Sequence, residues 1–306
     1  MRPRREFTIG GRVISDESPC YVIAEIGHNH GGSVDMCQRM FDAAVSAGAD
    51  AVKLQKRHNP TLYSRELLAK PYENENSYGA TYGAHRAAVE FGPDEYAMLR
   101  PGAAFIATAF DEPSADFLAA VHVDAIKIAS GGLTDLPLLR HVARLRLPVI
   151  LSTGGGTMPD IDAAVNEITA VHEQLAILHC TAAYPVRDFS ELNLRVIETL
   201  RQRFPYVIGW SGHDSGIAMA LVAYTLGARI VEKHFTLNRA MKGTDHAFSL
   251  EPQGMAKLCR DLKRAHEALG DGVKRYYESE RAPIAKMRRR VTPEGLRITG
   301  EMDVID

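Results

Sequence analysis

Residues 36–55 read MCQRMFDAAVSAGADAVKLQ. Met36–Ala47 carries apolar residues at helical spacing, and Asp35 is placed to cap its N-terminus. Ala51–Gln55 follows as a short strand-like run, apolar apart from Lys53 and Gln55. The same kind of strand recurs at Tyr21–Glu25, Phe105–Thr108, Ala125–Ile128, Pro148–Ser152, Ala176–His179, Val207–Trp210 and Arg229–His234. Helical spacing fills Ser114–Val121, Leu136–Leu145, Pro159–Val171, Asn193–Phe204 and Ile217–Leu226 between them. Strands apolar on both faces that alternate with helices imply a parallel sheet covered by helices. Eight such units close naturally into a (β/α)8 TIM barrel. A doubly wound open sheet is the alternative, because strand count alone does not prove closure.

Around this repeat the chain divides into three parts: an N-terminal β-hairpin (1–19), the barrel (20–278) and a short C-terminal tail (279–306). The hairpin is Phe7–Ile14 with a Gly10-Gly11 turn, placed to plug the bottom of the barrel. Two places break the rhythm. Lys56–Pro93 is a long insertion after the second strand, rich in Tyr63, Tyr72, Tyr78, Tyr82, His85 and Arg86, and reads as a substrate loop. Asp94–Arg100 leaves only about two helical turns before the third strand, so that layer should be thin. The tail lacks clear periodicity. Its run Lys286-Met287-Arg288-Arg289-Arg290 reads as a solvated basic arm, with anion binding or subunit contact as the alternative.

The chain has 306 residues, more than the roughly 250 typical of one such barrel. Its 36 basic and 38 acidic residues leave a net charge of −2, which gives no reason to expect nucleic acid. No apolar run is long enough for a bilayer, and no apolar core follows the basic start, Met1-Arg2-Pro3-Arg4-Arg5. The four cysteines lack CxxC spacing, as expected of reduced thiols in a cytoplasmic protein.

In such a barrel, chemistry sits at the C-terminal ends of the strands. Those ends carry Glu25 and the His28-Asn29-His30 loop, then Lys53 with Gln55, and then Thr108 with Asp111. The fourth to sixth give Lys127 with Ser130-Gly131, Ser152 with Gly154–Gly156, and His179-Cys180-Thr181 with Tyr184. The last two give Ser211, His213 and Asp214, then Glu232, Lys233 and His234 with Asp245. A lysine inside an apolar strand is costly unless paired, so Lys53 and Lys127 suggest a bound carboxylate or phosphate. The plain structural alternative is an ion pair with a neighbour such as Glu25. Ser130, Ser152 and Ser211 add hydroxyls suited to phosphate oxygens. His213 and His234 come from neighbouring strands and, with an oxygen ligand, suit Mn²⁺, Co²⁺ or Zn²⁺.

Between about residues 7 and 275 the chain resembles the N-acetylneuraminate (sialic acid) synthase family. The matching stretches are Ile23–Gly32, Gly48–Gln55, Lys127–Gly131, Ile150–Gly154, His179–Thr181, Tyr184-Pro185 and Glu232–Thr236. Asn74–Ser77 and Asp245-His246 look closest to its spore-coat polysaccharide synthase-like branch. The resemblance implies a TIM-barrel transferase that condenses phosphoenolpyruvate with an N-acylmannosamine-like aldehyde sugar, giving a 3-deoxy-2-ulosonic acid and phosphate. It implies His213 and His234 as metal ligands, with Mn²⁺ first and Mg²⁺ or Co²⁺ as alternatives. It places phosphoenolpyruvate on Lys53, Thr108, Lys127, Ser130, Ser152 and Ser211, within a substrate set that includes Gln55. Glu25, Tyr184 and Asp245 match other active-site positions. A homodimer is the family expectation.

Four features depart from the family pattern. Gly132 stands where a carboxylate is usual, and positioned acid–base groups are worth about 10²–10⁴-fold in rate. Asp135, Asp214 or a substrate hydroxyl are the candidate replacements. Gly212 replaces a usual aspartate, Ala182 a usual Asn or Ser, and the C-terminal antifreeze-like domain of the family is not recognisable. Two other readings compete: a Schiff-base pyruvate aldolase working through Lys53 or Lys127, and a degenerate barrel that binds a phosphorylated metabolite or partner without turnover.

Overall fold

The computed structural model describes residues 5–291, 295 and 297–298. Strands β1 (Glu6–Ile9) and β2 (Arg12–Ser15) form the expected hairpin, with Ile9 opposite Arg12. Gly10 and Gly11 take φ of 54° and 79°, the left-handed pair that a two-residue turn between twisted strands requires. The alternating part begins with β3 (Tyr21–Gly27), α1 (Val34–Ser46), β4 (Ala51–Lys56), α2 (Asn59–Leu62), α3 (Arg65–Ala69), α4 (Tyr82–Val89) and α5 (Pro93–Met98). It continues through β5 (Ala104–Ala109), α6 (Glu112–Ala120), β6 (Ala125–Ile128), α7 (Leu136–Arg144), β7 (Val149–Ser152) and α8 (Met158–Thr169). It ends with β8 (Leu175–Cys180), α9 (Val196–Arg203), β9 (Val207–Gly212), α10 (Ala218–Thr225), β10 (Ile230–His234) and α11 (Pro252–Leu269).

Strands β3 to β10 run parallel and close on each other, with β10 paired to both β9 and β3. Closure decides for the barrel over the open sheet. Side chains alternate in and out along each strand. The inward positions at the bottom are apolar: Tyr21, Ile23, Ala51, Ile106, Ala125, Ile150, Ala176, Val207 and Ile230. Phe7, Ile9 and Ile14 of the hairpin join this cluster and seal it, each fully buried side chain contributing roughly 1.5–3 kcal/mol. The outward positions, such as Val22, Val52, Ile126 and Val231, form a second cluster with the helices. Two residues further up, the same alternation turns Glu25, Lys53, Thr108, Lys127, Ser152 and Glu232 inward, and that change creates the site.

Several local readings need correction. Ser33 caps α1, its hydroxyl accepting from the Met36 amide at 3.2 Å, while Asp35 sits in the first turn. The insertion is three short helices, α2 to α4, whose Tyr63, Tyr72 and Tyr82 rings pack edge to face. The thin layer at α5 is filled by Tyr96, which packs edge-on to Phe117 at 4.9 Å. The chain divides into a unit ending at His266 and a second beginning at Glu267. Within the second, α12 (Glu278–Met287) is a ten-residue helix where no periodicity was legible, and β11 (Arg290–Val291) pairs with β12 (Arg297–Ile298). Part of the tail lies outside the described residues. Among those described, no helix is long and apolar enough to cross a membrane.

Candidate active site

The strand ends surround a cavity of about 400 Å³. Every residue singled out above as a site candidate lines it: Glu25, Lys53, Gln55, Thr108, Lys127, Ser130, Ser152, Tyr184, Ser211, His213, His234 and Asp245. Two other strand-end residues, His179 and Lys233, do not. His179 is an outward residue of β8 and meets the Leu192 carbonyl at 2.7 Å. Lys233 is outward on β10, where its ammonium meets the Asp214 carboxylate at 2.8 Å and lies 5.4 Å over the Trp210 ring.

The two strand lysines differ in their partners. Lys53 Nζ lies 2.6 Å from Glu25 Oε2 and 3.7 Å from Glu232 Oε1, and donates to Thr108 Oγ1 at 3.1 Å. Burial pulls its amine down, but Glu232 and Glu25 outweigh that and raise it. The structural reading of an ion pair therefore holds for Lys53. Lys127 Nζ donates to Ser152 Oγ at 2.5 Å and to the Ile128 carbonyl at 3.2 Å, and no carboxylate stands within 4.0 Å among the described residues. Burial lowers its affinity for a proton, with the charge of Lys53 adding to the effect. Lys127 is thus a buried cation, 3% exposed, that lacks an anionic contact of its own. Ser211 and Ser130 line the same cavity, Ser130 Oγ accepting from the Gly154 amide at 3.0 Å. Burial would raise Glu232, but Lys127 and Lys53 hold its carboxyl down at about 2, so it is ionised. Its Oε1 accepts from Ser211 at 3.1 Å and its Oε2 has no hydrogen-bond partner.

Across the mouth, the His213 and His234 rings stand 5.4 Å apart. His213 Nδ1 lies 3.1 Å from the Thr181 carbonyl and so carries the proton, which leaves Nε2 with a free lone pair. Burial, aided by the neighbouring His234, lowers the His213 pKa to about 3, so the ring is neutral. His234 Nδ1 is buried without a hydrogen-bond partner, 3.7 Å from Asp245 Oδ2. Burial would raise Asp245, but His234 and the Thr244 hydroxyl hold its carboxyl below the usual range. Tyr184 lies against both rings, 4.3 Å from His213 and 6.4 Å from His234 between centroids. The neutral His213 ring and the orphan nitrogen of His234 fit a borderline divalent cation. No group of three or more metal-ligating side chains occurs among the described residues, so protein would supply only part of the coordination.

The insertion forms the remaining wall. Gly31 leaves room for the Tyr78 hydroxyl, which would come within 2.9 Å of a Cβ there. That hydroxyl donates to the Lys242 carbonyl at 2.5 Å, and the Gly243 amide donates to Asn76 Oδ1 at 3.0 Å. The insertion is thereby clasped to the segment that carries Asp245.

The departures from the family pattern acquire physical reasons. A Cβ on Gly132 would meet Ile128 Cγ2 at 3.2 Å and Leu138 Cδ2 at 3.7 Å, towards the helix layer. Neither proposed substitute reaches the cavity: Asp135 caps α7 by accepting from Leu138, and Asp214 is committed to Lys233. At Gly212 a Cβ would fall 2.1 Å from the Trp210 ring, so the indole occupies the space of the usual aspartate. Ala182 does line the cavity, so there the wall has lost a polar group. The candidate set above omits Glu232 and Arg57, which also line the cavity. Period-two alternation back from His234 would have found Glu232. Arg57 lies just past its strand, where no periodicity reaches.

The NeuB family profile matches residues 40–274. The human N-acetylneuraminate-9-phosphate synthase is 36% identical over 95% of this chain and 84% of its own length. The Bacillus subtilis spore coat polysaccharide biosynthesis protein SpsE is 34% identical over 87% of this chain and 73% of its own. A crystal structure of N-acetylneuraminic acid synthetase from Leptospira borgpetersenii, in complex with citrate, superposes with a TM-score of 0.80 at 32% identity, covering 92% of this chain and 96% of that one.

Proposed function

Because the chain belongs to the NeuB family and is an enzyme of the sialic acid synthase type, we propose that it condenses phosphoenolpyruvate with an N-acylmannosamine-like aldehyde sugar. The products are a 3-deoxy-2-ulosonic acid and phosphate. The observation that carries this reading is Lys127, buried without a carboxylate contact and bonded to the Ser152 hydroxyl, in the cavity that Ser130, Ser211 and the His213 and His234 imidazoles also line.

Lys127, Ser130, Ser152 and Ser211 bind the donor's anionic groups, and Lys53 with Thr108 completes that wall. Charge-assisted hydrogen bonds of this kind are about twice as strong as neutral ones. Glu232 favours the protonated form of both amines, opposing the effect of burial. Gln55 donates to Glu25 Oε1 at 2.7 Å and holds that carboxylate against Lys53. His213 and His234 would hold a divalent cation, Mn²⁺ first with Mg²⁺ or Co²⁺ as alternatives, which when bound supplies Lewis acidity towards the aldehyde oxygen. Tyr184 covers that side of the cavity. The donor's enol C3 forms a bond to the aldehyde carbon, whose oxygen takes a proton. Water adds at C2 and loses a proton, and the tetrahedral intermediate expels phosphate. Glu25 and Asp245 are the carboxylates placed to move those protons. We further place the reaction in the cytoplasm and the protein in a homodimer, as family membership suggests.

Incubation with a panel of aldoses and divalent metals, read by phosphate release and mass spectrometry, tests the reading. Phosphate release should need both an aldose and a metal, and turnover with no aldose in any metal would overturn it. The loosened proton of Lys127 also favours a second reading, an imine-forming aldolase. Borohydride trapping with pyruvate separates the two: a stable adduct on Lys127 would replace the condensation proposed here.

A further inference from the structure

The condensation leaves one ionisable pair at the cavity unused. Strand β3 ends at Gly27, whose φ of 53° turns the chain at once, with the Asn29 amide bonded to the Ile26 carbonyl at 2.9 Å. A Cβ on Gly27 would come within 3.0 Å of Glu25 Oε1 and Gln55 Nε2, so the turn passes tightly beside them. The next residue, His28, lines the cavity with a side chain only 14% exposed. Its partner is Glu90, the residue that ends α4. Glu90 Oε2 accepts from the Arg57 amide at 3.1 Å and faces Lys56 at 3.5 Å, which fixes the carboxylate. Glu90 Oε1 is buried without a hydrogen bond, 3.2 Å from His28 Nε2. Burial would raise Glu90, but His28, Lys56 and the Arg57 amide hold its carboxyl down, so it is ionised. Burial lowers His28, with Glu90 opposing and Arg57 adding to the effect, so the resting ring is neutral near pH 7. An ionised carboxylate with one uncommitted oxygen thus backs a neutral imidazole, the arrangement of a general base and its orienting partner.

An aldose whose own hydroxyl can reach its aldehyde closes to a hemiacetal, and that form offers the enol no carbonyl carbon. We infer that His28, positioned by Glu90, opens the acceptor's ring within the cavity, a ring-opening activity that precedes condensation. His28 Nδ1 takes the proton of the anomeric hydroxyl. The electron pair left on that oxygen forms the carbonyl double bond as the bond from the anomeric carbon to the ring oxygen breaks. The imidazolium then returns the proton to the former ring oxygen, so His28 ends neutral and the sugar neither gains nor loses atoms. Both oxygens sit on one carbon, so a single nitrogen reaches each in turn. Glu90 stabilises the transient imidazolium through Nε2 and fixes the tautomer that leaves Nδ1 its lone pair. Burial would raise Asp245, whereas His234, the Thr244 hydroxyl and His28 hold it down, so His28 stands within electrostatic reach of Asp245. Asp245 in turn lies 3.7 Å from His234, on the side of the cavity where the freed carbonyl is needed. The inference rests on the condensation reading and gives the same site an earlier step.

Exchange NMR of the anomeric protons of an N-acylmannosamine, with the protein present and phosphoenolpyruvate absent, reads ring opening by itself. The two anomers should interconvert faster in proportion to the wild-type protein added. His28→Asn keeps a hydrogen-bond acceptor but cannot hold a proton, and should cut the protein-dependent rate about hundredfold. Glu90→Gln should cut it about tenfold, and Glu90→Asp, which keeps the charge, should fall between. Calorimetric binding of phosphoenolpyruvate checks that each variant is folded, and if Glu90→Gln is not, His28→Asn decides alone. In condensation, His28→Asn should lose at least about tenfold more kcat/KM on the cyclising sugar than on a hydroxyaldehyde too short to close a ring. No acceleration by wild type, an unchanged rate in His28→Asn, or equal losses on the two aldehydes would overturn ring opening and leave the condensation standing. Absence of phosphate release with both aldehydes would instead overturn the condensation, a result on which the donor-free exchange rate does not depend.

Discussion

Lys53 and Lys127 have the same residue type and nearly the same burial, yet removing them should have opposite effects on stability. Lys53→Met leaves Glu25 and Glu232 facing each other without their shared cation. Breaking a buried pair on one side costs about 3–5 kcal/mol, so thermal unfolding should shift down by many degrees. Lys127→Met removes a cation that no carboxylate contacts directly, so its melting temperature should hold or rise, while KM for phosphoenolpyruvate climbs about tenfold to hundredfold. Equal destabilisation by both changes would refute the distinction. Gly212 offers a second contrast. A methyl group there runs into the Trp210 ring, so Gly212→Ala should cost about 1–3 kcal/mol in chemical denaturation although glycine to alanine is nominally mild. The residue types at the site were legible from the chain, because charged and imidazole groups at the ends of apolar runs stand out. Which lysine is paired was not, since Glu25 and Glu232 lie on two strands that meet only when the barrel closes.

At the level of elements, the insertion is the part that sequence patterns described least well. Its helices α2 and α3 are four and five residues long, too short for a period to register, and aromatic packing rather than an amphipathic stripe holds them together. Its grip on the loop after β10 rests on two hydrogen bonds, Tyr78 to the Lys242 carbonyl and Gly243 to Asn76. Asn76→Ala removes one neutral bond worth about 1 kcal/mol. The Gly243 amide should then exchange with solvent roughly fivefold faster, with global melting almost unchanged. Because Asp245 follows two residues later, KM for the acceptor should rise severalfold more than KM for phosphoenolpyruvate. An unchanged exchange rate at Gly243 would show that the clasp does not depend on Asn76. The barrel strands show the opposite behaviour: their apolar runs are long and regular, and their ends moved by at most two residues between reading and structure.

For the whole molecule, buried neutral imidazoles set an acid limit on stability. Burial holds both His30 and His213 at about 3, with His28 adding to the effect at His30 and His234 at His213. In the unfolded chain each titrates near 6.5. A depressed folded value means that the unfolded state binds the extra protons, so stability is full above about pH 6.5 and declines as pH falls towards 3. Each ring should cost about 2 kcal/mol between pH 6.5 and pH 5, a sizeable share of a typical total of about 5–15 kcal/mol. Denaturation curves across that range should show the decline, and His30→Gln should remove about half of it. A flat profile would mean that His30 and His213 are not held neutral.

From its sequence alone this chain declares a barrel, because alternation between buried strands and helices is a local property that survives without coordinates. It likewise declares which polar residues end those strands, and the motifs that mark its family. Only the tertiary structure decides that the eight strands close, that Phe7, Ile9 and Ile14 seal one end, and that Lys127 lacks a carboxylate partner while Lys53 shares two. It also brings Arg57 and Arg86 to the lining of one cavity. The reason is the range of the forces involved. Periodicity reflects burial of neighbours along the chain, whereas charge balance depends on groups brought within a few ångströms from distant segments, which no local pattern records.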